Sequence, residues 1–359
     1  MRQQILKLNK KVSLPTLIVA IVCLLYITTV LHKNDYDPLQ FVIYDGHYSL
    51  QIGYRLFGEE AHIPPAYPYP DDIPSAYRWQ RILYPLAARL LALNYPELLP
   101  WTLIVLNFAA IMLGTFVTEL LLRHHRVSIW YALIYGLYAG NLVALRSDMN
   151  EPLSQMFVML AILAWVRQKH RWSFIWFALA ILSKETALLF VAAYGLYSLQ
   201  KRNWHDVLGL GATAIPYVVW QIFLYSWTGT TGVSSGQPFI WLPFGGWLMS
   251  ARISMPGFIL ISLLIIPIAV VPVIGGFIIS IRALLHRFFH PYVYAILFNA
   301  IFILFLPHLT FRESSAMIRV VQGLALSILL FGAMTQSQRI LRYSVLWLFA
   351  NVIVISGTG

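Results

Sequence analysis

LPTLIVAIVCLLYITTVL, Leu14–Leu31, runs for 18 residues without a charged side chain, long enough for a helical bilayer span. Arg2, Lys7, Lys10 and Lys11 precede it and no small-residue cleavage site follows, the pattern of an uncleaved signal anchor. Comparable apolar runs recur to the C-terminus. Charged residues make up 11% of the chain, hydrophobic ones 59%, and mean hydropathy is +0.70. Soluble domains carry about 25% charged residues. These numbers predict an all-α, polytopic integral membrane protein. Cys23 is the only cysteine and lies in the first run, so neither a disulfide framework nor a cysteine metal cluster is expected.

Eleven membrane segments are predicted, roughly 14–31, 98–122, 129–145, 153–166, 172–183, 186–199, 207–227, 255–280, 292–309, 316–336 and 343–357. With the basic N-terminus in the cytoplasm, the inside loops carry Arg123 and Arg126, Arg167, Lys169 and Arg171, Lys201 and Arg202, Arg282 and Arg287, and Arg339 and Arg342. Every inside loop obeys the positive-inside pattern. The net charge of +11 is thereby read as topological, with membrane lipids and not nucleic acid as the partner. Of the 14 acidic residues only Glu119 and Asp206 fall inside. Residues 172–199 read as two short helices meeting at Lys184 and Glu185 near the outer face. The whole chain, 1–359, forms one transmembrane domain. Its first external loop is 32–97, expected to hold interfacial helices, and a second sizeable one is 228–250.

The outer face gathers the candidate chemistry. FVIYDGHYSL places Asp45, Gly46 and His47 between Tyr44 and Tyr48. Asp-Gly is a common turn pair. The alternative is that Asp45 accepts a proton as a general base, while His47 and Tyr48 orient a polar ring and Gly46 lets a ligand approach. The same loop carries Asp35, Asp37, Glu59, Glu60, Asp71 and Asp72. RWQRILYPLAARLLAL, 78–93, carries Arg78, Arg81 and Arg89 among apolar residues with Pro85 expected to kink it. Those arginines either snorkel to headgroups or hold a particular lipid phosphate.

RSDMNEP, 146–152, supplies Asn150 as a helix N-cap with Glu151 and Pro152 in the first turn. Asp148 and Glu151 alternatively suit a divalent cation, Mg or Mn, held through oxygens. ILSKETALL sets Lys184 and Glu185 between apolar helices, where they neutralise each other or meet an incoming phosphate. HLTFRESSAMIRVVQGL adds His308, Arg312, Glu313 and Arg319, and a guanidinium at position 319 inside an apolar helix needs an anionic partner. The uncharged stretch 228–247 reads either as a lid or as a packed loop.

This layout resembles the polytopic GT-C glycosyltransferases, membrane enzymes that use polyprenyl-phosphate sugars as donors. YDGHY with the downstream RILYPLAARLL is similar to the first-loop signature of bacterial members and of the mannosyltransferase branch. The likeness extends in motif over about 44–93, 146–152 and 183–186. It implies Asp45 as catalytic aspartate, Asp148 and Glu151 as the second acidic motif, and Lys184, Arg312 and Arg319 on the lipid phosphate. It further implies a hexosyltransferase of the cell envelope, in the bacterial cytoplasmic (inner) membrane. The active site would face outward, and the acceptor would be a hydroxyl of a glycan, lipid or protein. The chain departs from many members in lacking a sizeable C-terminal soluble domain and a clean Asp-x-Asp in the second motif. Two other classes fit the same charges: a transporter or flippase of lipid-linked or sugar substrates, which would commonly show repeated halves, and a noncatalytic envelope assembly partner. No internal repeat is apparent.

Overall fold

The computed structural model describes residues 13–58 and 75–351, and every regular element among them is helical. Glu59, Glu60, Asp71, Asp72 and positions 352–357 of the expected last segment lie outside the described residues. Helix α1 spans Leu14–Lys33. Its open N-terminus is closed by Glu119, whose carboxylate accepts from the Thr16 backbone N–H at 2.9 Å, from the Thr16 hydroxyl at 2.6 Å and from Ser13 Oγ. An acid buried here answers both the unpaired N–H groups and the positive end of the helix dipole.

Three short helices follow in the 32–97 loop: α2 (Gly46–Arg55), α3 (Ala76–Trp79) and α4 (Leu83–Leu91). Pro85 is the third residue of α4, within the first turn, where its missing N–H has no intrahelical partner to lose. The expected kink is therefore replaced by a helix start. Helix α5 runs Leu99–His124.

Segment 129–145 is not a continuous helix. It divides into a 3₁₀ turn, Ile129–Ala132, then α6 (Leu133–Gly136) and α7 (Ala139–Arg146). The break is satisfied internally, because Asn141 Nδ2 donates to the Tyr135 carbonyl at 2.7 Å. A Cβ on Gly136 would lie 2.5 Å from Val19, so this glycine lets the broken segment press onto α1.

Helix α8 (Glu151–Val166) packs against α5 and α9 (His170–Ser183), and α10 (Leu188–Gln200) follows a 3₁₀ turn at Glu185–Ala187. The 172–199 stretch is thus two helices broken at Lys184. Phe177 and Tyr194 meet across the break with ring centroids 5.4 Å apart. Then come α11 (Trp204–Ala212), α12 (Ile215–Thr228), α13 (Gly245–Ile253), α14 (Met255–Ile265) and α15 (Val271–Leu285). The last two join through a π turn, Ile266–Val270, which contains Pro267 and is followed by Pro272, neither of which can donate to the helical ladder. The chain continues as α16 (Pro291–Leu304), α17 (His308–Arg312), α18 (Ser314–Met334), α19 (Gln338–Ser344) and α20 (Leu346–Phe349).

Five runs among the described residues are long and apolar enough to cross a membrane: Leu14–Lys33, Pro96–His124, Trp204–Thr228, Met255–Leu285 and Ser314–Met334. Glu151–Val166 and Pro291–Leu304 are shorter apolar helices. These runs bear out a helical membrane protein, five of whose described apolar runs reach full spanning length. Helix α18 is the axis of the core, 83% of its apolar window being buried against 28% for Trp204–Thr228.

Candidate functional site

The tight approach of α2 to the α7–α8 turn brings the two acidic motifs together. A Cβ on Gly46 would fall 2.1 Å from the Ser147 carbonyl oxygen and 3.4 Å from the Asp148 Cβ. Gly46 thus admits the protein's own backbone, where a ligand was the sequence expectation. Strain in the YDG turn falls instead on Tyr44 (φ 49°), while Asp45 is right-handed helical (φ −68°, ψ −15°).

Asp45 stands at the N-cap of α2 with about a third of its side chain exposed, and Arg78 Nη1 lies 2.7 Å from its Oδ2. The guanidinium of Arg78 is held over the Tyr48 ring at 4.4 Å and near the Tyr77 ring at 5.2 Å. Burial works to raise the Asp45 pKa, but the guanidiniums of Arg78, Arg319 and Arg81 outweigh it and hold the carboxyl below its usual range. The group is therefore an anion at neutral pH. His47 is buried on α2, and burial lowers its pKa, which favours a neutral imidazole.

Arg81 does not snorkel outward. Its Nε and Nη2 grip Glu185 Oε2 and Oε1 at 3.0 and 2.6 Å, a two-point bond, and Nη2 also donates to the Tyr77 hydroxyl at 2.8 Å. Glu185 is thus paired with Arg81, and its neighbour Lys184 turns elsewhere. Lys184 Nζ and Arg319 Nη1 both donate to Glu151 Oε1 at 2.6 Å. Arg319 is steadied by its Nε bond to the Ser315 carbonyl at 3.2 Å. Glu151 is buried, and its Oε2 has no hydrogen-bond partner.

Asn150 occupies the N-cap position of α8, as its sequence context predicts, but its side chain caps nothing. Its Nδ2 instead donates to the Ser183 carbonyl at 2.7 Å, pinning the α8 start to the α9–α10 break. Asp148 is fully buried in a left-handed conformation (φ 45°), with neither carboxylate oxygen hydrogen-bonded. Burial drives its pKa well up against the opposing field of Arg146.

Two cavities flank Arg319. The first, open to solvent, is lined by Asp45, Tyr48, Ser49, Arg78, Arg81 and Asn150 together with Arg319. The second has a charged end at Glu151, Lys184 and Arg319 and an apolar side of Phe190, Phe302 and Val320. Outside it, Phe239 from the 229–244 loop packs edge-on against Phe302 at 5.8 Å. That loop is bonded to α16, Ile240 and Phe244 N–H donating to the Phe305 and Leu304 carbonyls.

Of the residues singled out in the sequence, Asp45, Tyr48, Arg78, Arg81, Lys184, Glu151 and Arg319 line these cavities, and Glu185 braces them through Arg81. Arg312 is exposed at the end of α17 and lines neither. Arg89 is also apart, donating to the Leu56 carbonyl. Two cations already share one Glu151 oxygen, and no group of three His, Cys, Asp or Glu side chains suited to a metal forms among the described residues. Ser49, Gln155 and Asn299 line the cavities unforeseen; isolated neutral polar residues carry no distinguishing pattern in sequence. Comparison of the chain with family models, curated proteins and solved structures finds no match.

Proposed function

We propose that this protein is a membrane glycosyltransferase, moving a sugar from a polyprenyl-phosphate donor to an acceptor hydroxyl with inversion at the anomeric carbon. The observation that carries the reading is the solvent-facing carboxylate of Asp45, fixed by Arg78 at the edge of a cleft whose far wall, Arg319, also closes a partly apolar cavity with Lys184. The acceptor oxygen attacks the anomeric carbon as its proton passes to Asp45. The bond from that carbon to the phosphate oxygen breaks, and the charge gained by the lipid phosphate is met by Lys184 and Arg319. With Arg78 on Oδ2, Oδ1 is the atom assigned to take the proton. A lowered pKa makes Asp45 a weak base but keeps it ionised, so alignment of the two substrates supplies a large part of the rate.

The reading places the cleft on the outer face of a bacterial cytoplasmic membrane, because the counted basic loops lie on the other side. The test is transfer of labelled sugar in membranes given polyprenyl-phosphate sugars, comparing the parent with Asp45→Asn at equal expression. Transfer should fall by about 10²–10⁴-fold. Unchanged transfer removes Asp45 as base, and no transfer by the parent with any such donor removes the reading.

A further inference from the structure

A carboxylate that accepts two cations on one oxygen and leaves the other oxygen unbonded is an unusual use of a buried acid. Glu151 does this at the charged end of the second cavity, with Lys184 Nζ and Arg319 Nη1 both 2.6 Å from Oε1 and Oε2 without a partner. Lys184, Arg319 and Glu151 all line the same cavity. A salt bridge kept only for packing would gain from bonding both oxygens, since a buried acceptor left unsatisfied keeps its full desolvation cost. The geometry is that of a carboxylate standing in for another anion.

We propose that Glu151 is an internal counter-anion, masking an anion-binding site made by Lys184 and Arg319, and that a phosphate monoester entering the second cavity displaces its hold on these cations. The arrangement of charge supports exchange over simple addition. Arg81 is committed to Glu185 through two bonds and Arg78 to Asp45, which leaves Lys184 and Arg319, tied to one oxygen, as the cations able to re-pair with least loss. Phe190, Phe302 and Val320 on the same cavity offer an alkyl chain an apolar wall beside the charge.

Exchange also links the two cavities, because Arg319 belongs to both. When it turns to a phosphate, its field on the Asp45 side changes as well, so an anion in one cavity alters the setting of the carboxylate in the other. This inference rests on the proposed reading of the site only in taking a lipid phosphate as the natural occupant. Phosphate binding tests it independently of sugar transfer.

The experiment is titration of the purified full chain in detergent with farnesyl phosphate and with inorganic phosphate, read by binding and by the shift in Tm. Against intuition for a buried pair, Glu151→Gln should bind phosphate more tightly than the parent by about tenfold, the scale of one hydrogen bond between charged groups. Its Tm should also rise more on adding the anion. Adding Arg319→Gln to Glu151→Gln should abolish the gain. If Glu151→Gln is not recovered folded, Glu151→Asp, which keeps the charge but shortens the reach, should show the same sign with a smaller gain. Tighter binding of farnesyl phosphate identifies the lipid-borne source and equal binding the free ion; the exchange stands in both cases. Binding in the variant equal to or weaker than the parent's overturns it, as does failure of the parent to bind either phosphate. If exchange is found while the parent transfers no sugar, the glycosyltransferase reading falls and the anion site stands.

Discussion

Asp148 and Glu151 are three residues apart in one short turn, both buried, and chemically opposite. Glu151 has two cations on one oxygen, whereas Asp148 has no hydrogen-bond partner on either. Sequence spacing had paired them as candidate ligands of one ion. The difference arises from what each turn residue faces. Glu151 begins α8 toward the α9–α10 break and α18, which deliver Lys184 and Arg319. Asp148, in a left-handed conformation, lies against α2 beneath Gly46. Proximity along the chain says little about charge when the backbone reverses between two residues.

The sharpest way to break this comparison is to remove the charge that is paired. Glu151→Ala leaves Lys184 and Arg319 buried without an anion and should lower stability by about 3–5 kcal/mol, measured as loss of Tm in phosphate-free detergent. A small change would mean that the cluster is solvated and the contrast with Asp148 false. Next in size is Gly46→Ala. With the Ser147 carbonyl 2.1 Å from the added methyl, α2 must move from the turn, at a cost of about 1–3 kcal/mol, and sugar transfer should drop with it. Normal transfer and normal Tm together would dissociate the two motifs.

A smaller effect concerns pH. The Asp45 carboxyl is held below its usual 3.8 by neighbouring guanidiniums, Arg78 foremost. Its ionised form, and the stability it gains from Arg78, persist above the unfolded value and are lost as pH falls through the lower folded pKa. The acid limb of the transfer profile should therefore lie below pH 3.8 in the parent and move upward in Arg78→Gln. A limb that does not respond would detach Arg78 from Asp45. The smallest effect is expected at Asp148→Asn. Burial disfavours its charged form, so the amide should alter stability, read by Tm, by less than the roughly 1 kcal/mol of an ordinary neutral hydrogen bond. A loss as large as that of Glu151→Ala would show that Asp148 carries a charge with a partner.

The sensible surprise is in how the arginines of the 78–93 stretch are used. In sequence, a guanidinium every few residues among leucines reads as a headgroup-facing surface. In the fold, α3 and the turn that follows it bring Arg78 and Arg81 inward onto Asp45 and Glu185. Arg89 alone keeps to the rim, its guanidinium over Phe57 at 4.2 Å. Likewise Arg312 and Arg319 stand in one motif, but the first ends a five-residue helix in solvent and the second lies on α18, buried along most of its length.

By itself the sequence determined the helical membrane class, the break at Lys184, the start of α8 at Glu151 and the candidacy of Asp45, because apolar run length, capping chemistry and isolated charges are local properties. It could not determine the number of full-length runs, since the interruption of 129–145 depends on Asn141 and Gly136 finding partners in space. Nor could it tell which cation meets which acid. Those pairings join residues more than thirty positions apart, Arg319 to Glu151 across 168, and only the packing of α2, α3, α8 and α18 around one turn decides them.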